Sequence, residues 1–304
     1  MFLKLFKAEL YRASKLKCVW ILLVVLLAIA VLMNLVLLKF DFLGALGMDA
    51  STFMALTQEG NSMEGVNDAA QVGAYLGSNS MVATEDTKLL GEGVFYDADL
   101  PTLFFMHVSD LNPIMLLAIF VGIFIGDIFN TGVTKNYVIS NNKRNVLFLA
   151  RFAVITIYSV IIHIFTWIFT WIGAAMWAKE VDYNWNGHTV GYIFISLFLT
   201  IVFSLLVYAI TMITKSKAAG ITVGVVLSTG ILTTAISVAN WAIIKKFQLK
   251  SDFSVAKYML TEILSTISND FTSSDITRAL IVGCVYAAIA VVAIVMCNKK
   301  RDIV

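Results

Sequence analysis

From Cys18 to Leu38 the chain runs for 21 residues without a charged side chain. As a helix rising about 1.5 Å per residue, such a run is about 31 Å long, enough to cross the hydrocarbon core of a bilayer. Hydrocarbon offers no partner for backbone N–H and C=O groups, so a single apolar run that crosses it must be helical. The run is also longer than the apolar stretch of a cleaved signal peptide, about 7–15 residues. Further apolar runs occupy 113–126, 152–178, 191–214, 218–244 and 279–297. With 59% hydrophobic and 14% charged residues over 304 positions, a soluble fold is excluded. The expected fold is an all-α integral membrane protein with six transmembrane helices.

The charges between the runs orient them. One set of segments holds Lys4, Lys7, Arg12, Lys15, Lys17, Lys135, Lys143, Arg144, Arg151, Lys215, Lys217, Lys299, Lys300 and Arg301, with only Glu9, Asp127 and Asp302 as acids. The other side keeps eight bases and seventeen acids. By the positive-inside rule the basic side is cytoplasmic, so both termini are expected inside a cell (plasma) membrane. A net charge of only +2 gives no reason to expect nucleic acid as a partner.

Residues 1–17 place Leu3, Phe6 and Leu10 on one face of a helix with bases around the rest. They read as an interfacial amphipathic helix carrying Lys4, Lys7, Glu9 and Arg12, or as a basic flank that sets orientation. Residues 39–112 form a long acidic external loop or subdomain, too poor in large apolar residues for a strong core of its own. Pro113 suits the first turn of the second span. Gly122/Gly126 and Gly220/Gly224 are small-residue pairs at the spacing that lets membrane helices approach closely. In the external segment 245–277, Phe253, Ala256, Leu260, Ile263, Leu264 and Ile267 recur at helical spacing, as in a re-entrant or interfacial helix dipping into the outer leaflet. Residues 298–304 are a cytoplasmic tail.

The motifs of several chemistries are missing from the sequence. No GxxxxGK[ST] loop or glycine-rich dinucleotide fingerprint occurs. His107, His163 and His188 are far apart, with no HExxH or CxxC, so no metal site is expected. Gly126-Asp127 lacks the preceding glycine of an intramembrane aspartyl protease, Phe124 standing there, and no GxSG marks a serine protease. No enzyme activity is expected of this chain. Trp167 and Trp171, four residues apart in the third span, share a face with room to line an apolar substrate path together with His163. Lipid contact or helix packing accounts for the same two rings.

The polar stretch 127–151, DIFNTGVTKNYVISNNKRNVLFLAR, joins the second and third spans on the basic side. Turn signals at Gly132 and Asn141-Asn142 separate segments apolar enough for short helices along the membrane surface. Together with the LFKAELYRASKLK amphipathic start and the long external loop, this stretch resembles the permease subunits of type-2 ATP-binding cassette (ABC) exporters. Asp127, Gly132, Lys135, Asn136, Arg144 and Arg151 follow the order of that family's loop. The pattern departs at Val133, where threonine is usual. The resemblance implies a dimer of six-span permeases, same or related, bound to two separate ATPase subunits that hold ATP and Mg. It implies that 127–151 is the coupling helix that docks on the ATPase. Within such a family a peptide or a hydrophobic compound is the expected substrate. A stand-alone membrane interaction or immunity protein, or a channel, would share the topology without an ATPase.

Overall fold

The structure, a computed structural model, describes residues 2–39, 97–109, 112–131, 144–178, 180–183, 187–232, 235–236, 256–266 and 272–300. Its helices are α1 (Phe2–Ser14), α2 (Lys17–Lys39), α3 (Leu100–Ser109), α4 (Asn112–Thr131), α5 (Arg144–Trp177), α6 (Gly187–Thr214), α7 (Lys217–Ser228), α8 (Leu260–Thr266) and α9 (Ser273–Lys300). Two short strands, β1 (Asp97–Asp99) and β2 (Glu180–Asp182), pair in parallel with Asp97 opposite Glu180 and Asp99 opposite Asp182. Among the described residues five helices, α2, α4, α5, α6 and α9, are long and apolar enough to cross a membrane. The chain is a multi-pass membrane protein whose described residues are almost wholly helical.

Helix α4 carries its packing face at helical spacing. Ile114, Leu117, Ala118, Val121 and Ile125 are fully buried. The helix opens with Pro113 in its first turn and runs through Asp127 to Thr131, five residues past the apolar run itself. Helix α5, 34 residues and so about 51 Å long, exceeds the hydrocarbon thickness, and Arg151 lies two turns inside it.

The glycines of α4 and α7 set the closest helix contact. A Cβ on Gly122 would stand 2.7 Å from Ile221 Cγ1 and 2.9 Å from the Ile221 backbone nitrogen; one on Gly126 would stand 2.5 Å from Lys217 Cα. On the opposing helix, a Cβ on Gly224 would meet that of Ala118 at 2.9 Å. Gly122, Gly126 and Gly224 therefore serve one crossing, where the helices approach closely, while Gly220 makes room for Thr211 of α6. Helix α7 reaches this crossing through a two-residue turn after α6. Lys215 takes a left-handed φ of 51°, and the Ser216 hydroxyl caps α7 by accepting from Ala219 N at 3.3 Å.

Of the run expected as the fifth span, 218–244, α7 covers only the start. Its 12 residues give about 18 Å before Thr229 bonds back to Val225 and Gly230 turns to φ 70°. Residues 237–244 lie outside the described residues.

Two segments read from the sequence as external bury apolar faces against the long helices. The end of the long acidic stretch forms α3, whose Leu103, Phe104 and Val108 are 0–2% exposed against α4 and α5. Leu260, Ile263 and Leu264 of α8 are also buried, with α8 packed against α3, α6 and α9. The physical reason is mutual: α3 and α8 each carry one apolar face, and each covers the other. Phe253 and Ile267 lie outside the described residues.

Candidate functional site

One end of the bundle concentrates charge. Helix α1 packs along the first turns of α5 and buries Leu5, Glu9 and Ala13, with Leu5 against Leu147 and Ala150. These three positions, four apart, form a single stripe. Glu9 is therefore carried inward, to 4% exposure, beside Arg151 at 3%.

Arg151 Nε donates to Glu9 Oε1 at 3.0 Å. Arg12 approaches the other carboxylate oxygen, with Nη2 at 3.0 Å from Oε2. That contact is an ion pair by distance without hydrogen-bond alignment, because Nη2 is aimed at the Phe124 carbonyl of α4, also at 3.0 Å. The Arg12 guanidinium lies 4.4 Å above the Phe124 ring. The fully buried hydroxyl of Tyr208, on α6, bonds to Arg151. One carboxylate thus gathers α1, α4, α5 and α6. Burial lowers the pKa of Arg12, while neighbouring Glu9 opposes that shift.

Beside this junction Lys217 Nζ donates to Asp127 Oδ1 at 2.8 Å. The α4–α7 glycine crossing sets up this bond, because Gly126 touches the Lys217 backbone itself. The pair is more open than the Glu9 pair, with side chains 38% and 29% exposed.

Of the loop residues singled out by sequence, Asp127 and Arg151 thus stand in two neighbouring ion-pair systems, and Arg144 is the first residue of α5. Gly132, Lys135 and Asn136 lie outside the described residues. Lys4 and Lys7 are exposed, whereas Glu9 and Arg12 belong to the buried junction. Sequence reasoning did not find Lys217 as the partner of Asp127, nor Tyr208. The signal available for the Glu9 pair was an acid on the same helical stripe as Leu5 and Ala13.

His163 and Trp167 both meet the Phe104 ring of α3, His163 edge-on at 6.3 Å, while Trp171 pairs with Tyr183. Trp167 stacks on Phe104 of α3, ring centroids 4.3 Å apart. Trp171 is 46% exposed, and its Nε1 donates to the Tyr183 hydroxyl at 2.7 Å. His163 is buried, with Nε2 3.4 Å from Ser196 Oγ on α6. Along the same two helices the hydroxyls of Ser159, Thr166 and Thr170 on α5, and of Thr200 and Thr211 on α6, donate to carbonyls one turn back in their own helices. An apolar cleft between α2, α4 and α5, lined by Val19, Leu26, Leu116, Phe120, Tyr158 and Ile162, holds about 20 Å³. That is space for one water-sized body.

A second polar link lies at the opposite end of the bundle. His107 Nε2 meets Asn34 Oδ1 at 3.1 Å, and Asn34 Nδ2 donates to the Thr170 carbonyl at 3.0 Å. Gly173 leaves room for the asparagine, since a Cβ there would collide with Asn34 Nδ2. The link ties α3 to α2 and α5.

No protein-family model matches the chain, and no curated protein matches it. Among the described residues no group of three or more His, Cys, Asp or Glu side chains could hold a metal ion.

Proposed function

We propose that this chain is the permease subunit of an ATP-driven exporter of the type-2 ABC family, working as a dimer with two separate ATPase subunits. The observation that carries the reading is the Glu9–Arg151 junction with its neighbour Asp127–Lys217. Glu9–Arg151 fastens α1 to α5, Arg12 fastens it to the Phe124 carbonyl of α4, and Asp127–Lys217 fastens α4 to α7, so the helices on both sides of residues 132–143 are tied together. A push received by that basic segment would pass into α4 and α5 as a unit, because the buried pair resists being opened. Shifting such a packed unit between two arrangements is how a docked motor could alternate access to a membrane path.

On this reading Asp127 and Arg151 position the segment, and Lys135 and Arg144 supply cationic contacts to the ATPase. ATP and Mg belong to that partner, not to this chain. Both termini would be cytoplasmic. The exported substrate is a hydrophobic compound or membrane-active peptide, a choice that rests on the family resemblance and the aromatic-rich spans.

The test is an affinity purification of the tagged full chain in mild detergent from its native host, alongside Lys135→Glu/Arg144→Glu. The expected result is an ATPase that copurifies with the wild type and is lost in the double variant, whose melting temperature is unchanged. Absence of any ATPase from both samples would overturn the proposal in favour of a stand-alone membrane protein.

A further inference from the structure

The first 17 residues carry five bases and one acid, Glu9. The fold removes that acid from the surface, because Glu9 is 4% exposed between Arg12 and Arg151. What α1 and the start of α2 show outward is then uniformly cationic: Lys4, Lys7, Lys15 and Lys17 are all exposed. Exposed apolar groups lie among them, Leu3 at 67%, Tyr11 at 65% and Phe2 at 40%.

The arrangement around α1 has three sides. Leu5, Glu9 and Ala13 face the protein. Phe6, Leu10 and Leu3 succeed one another at helical spacing along one flank, passing from half-buried to exposed. Lys4, Lys7 and Lys15 lie on the opposite flank with Tyr11 between them. Lys15 Nζ sits 5.4 Å over the Tyr11 ring, a lysine and tyrosine paired at one depth. Two residues after α1 the apolar helix α2 begins, and Trp20, 65% exposed, stands in its first turn. Helix α1 therefore lies at the level where the hydrocarbon-crossing helix starts, the depth at which Tyr, Trp and Lys meet lipid headgroups.

We infer that the outward face of α1 is a binding surface for anionic lipid headgroups, with Lys4, Lys7 and Lys15 taking the phosphates, Tyr11 at their level, and Leu3 entering the adjoining acyl layer. Charge complementarity selects an acidic lipid over a zwitterionic one, and the apolar flank selects a lipid over a free anion. The buried Glu9 is what makes the selection possible, since an exposed carboxylate among these lysines would repel the same phosphates. This surface requires no ATPase and stands independently of the transport proposal.

The experiment uses the full chain in a neutral detergent and follows its melting temperature as lipid is added, since a ligand that binds the folded state raises it. The probes are diheptanoyl-phosphatidylglycerol, diheptanoyl-phosphatidylcholine and glycerol 1-phosphate. Phosphatidylglycerol is expected to raise the melting temperature saturably, and the other two are expected to leave it unchanged. In Lys4→Gln/Lys7→Gln/Lys15→Gln the half-saturating concentration should rise at least tenfold, with the lipid-free melting temperature the same. About fivefold per surface lysine is the expected scale. Equal responses to the two lipids, a response to glycerol 1-phosphate alone, or an unaltered titration in the triple variant would each overturn the inference. A variant that keeps its lipid response but no longer retains a protein partner would also overturn it, assigning the face to that partner.

Discussion

Arg151 and Glu9, 142 residues apart in the chain, are joined by a 3.0 Å hydrogen bond between Nε and Oε1, at only 3% and 4% exposure. Two desolvated charges hold each other there, so each makes the other tolerable. Breaking a buried pair from one side costs about 3–5 kcal/mol, because the remaining charge has lost its compensation. Glu9→Leu and Arg151→Met should each lower the melting temperature markedly in detergent. Glu9→Leu/Arg151→Met should lower it less than the sum of the two, because Glu9 and Arg151 no longer strand each other, while Arg12 loses its carboxylate equally in Glu9→Leu and in the double variant. Additive losses across this cycle would show that the pair is not coupled.

The α4–α7 crossing makes a sharper steric prediction. A side chain at Gly122 has no space, since its first atom already stands 2.9 Å from the backbone nitrogen of Ile221. Gly122→Val should therefore force the helices apart and cost about 2 kcal/mol or more. At Gly187, the start of α6, a methyl group would meet nothing within 4 Å. Gly187→Ala should be neutral or slightly stabilising. Thermal denaturation of the two variants side by side tests the crossing; equal effects would refute it.

Which parts of this arrangement could be read beforehand follows from what determines them. Membrane crossing was legible in runs such as Cys18–Leu38, because hydrocarbon demands apolar length alone. The Gly122/Gly126 and Gly220/Gly224 spacings were legible as close-approach faces, but nothing in either said that Gly122 and Gly126 meet α7 or that Gly220 meets Thr211 of α6. The end of α4 was less legible. Asp127 looks like a boundary residue, yet the helix passes through it, because Lys217 neutralises the carboxylate from a separate helix. The burial of α3 was hidden by the acidic stretch before it, although Leu100–Ser109 is itself apolar. Pairings such as Glu9–Arg151 or His107–Asn34 depend on tertiary proximity, which local periodicity does not carry.

His107 supplies a pH dependence with a definite sign. The ring is 2% exposed, and burial pushes its pKa from 6.5 down to about 4. As pH falls, the unfolded chain therefore takes up this proton before the folded one does. The contribution is fully present above about pH 6.5, is lost between 6.5 and 4, and changes no further below. Integrated over that window the loss is roughly 3 kcal/mol. Melting temperatures of wild type and His107→Asn should diverge as pH rises from 4 to 6.5 and run parallel above it. Curves parallel throughout would exclude His107 as the source.

The neighbouring pair should behave differently from Glu9 and Arg151 despite its shorter distance. Asp127 and Lys217 meet at 2.8 Å, but their side chains are 29% and 38% exposed, so water and salt reach both. Exposed ion pairs contribute about 0–1 kcal/mol and are screened by salt. Asp127→Asn should therefore shift the melting temperature little, and raising salt from about 50 mM to about 500 mM should shrink even that difference. If the pair instead serves to hold residues 132–143 in a docking arrangement, the same variant should retain the copurifying ATPase poorly. A large melting shift that salt leaves intact would mean the pair is sealed from solvent and structural in its own right. A small shift with full ATPase retention would remove Asp127 from the proposed coupling surface.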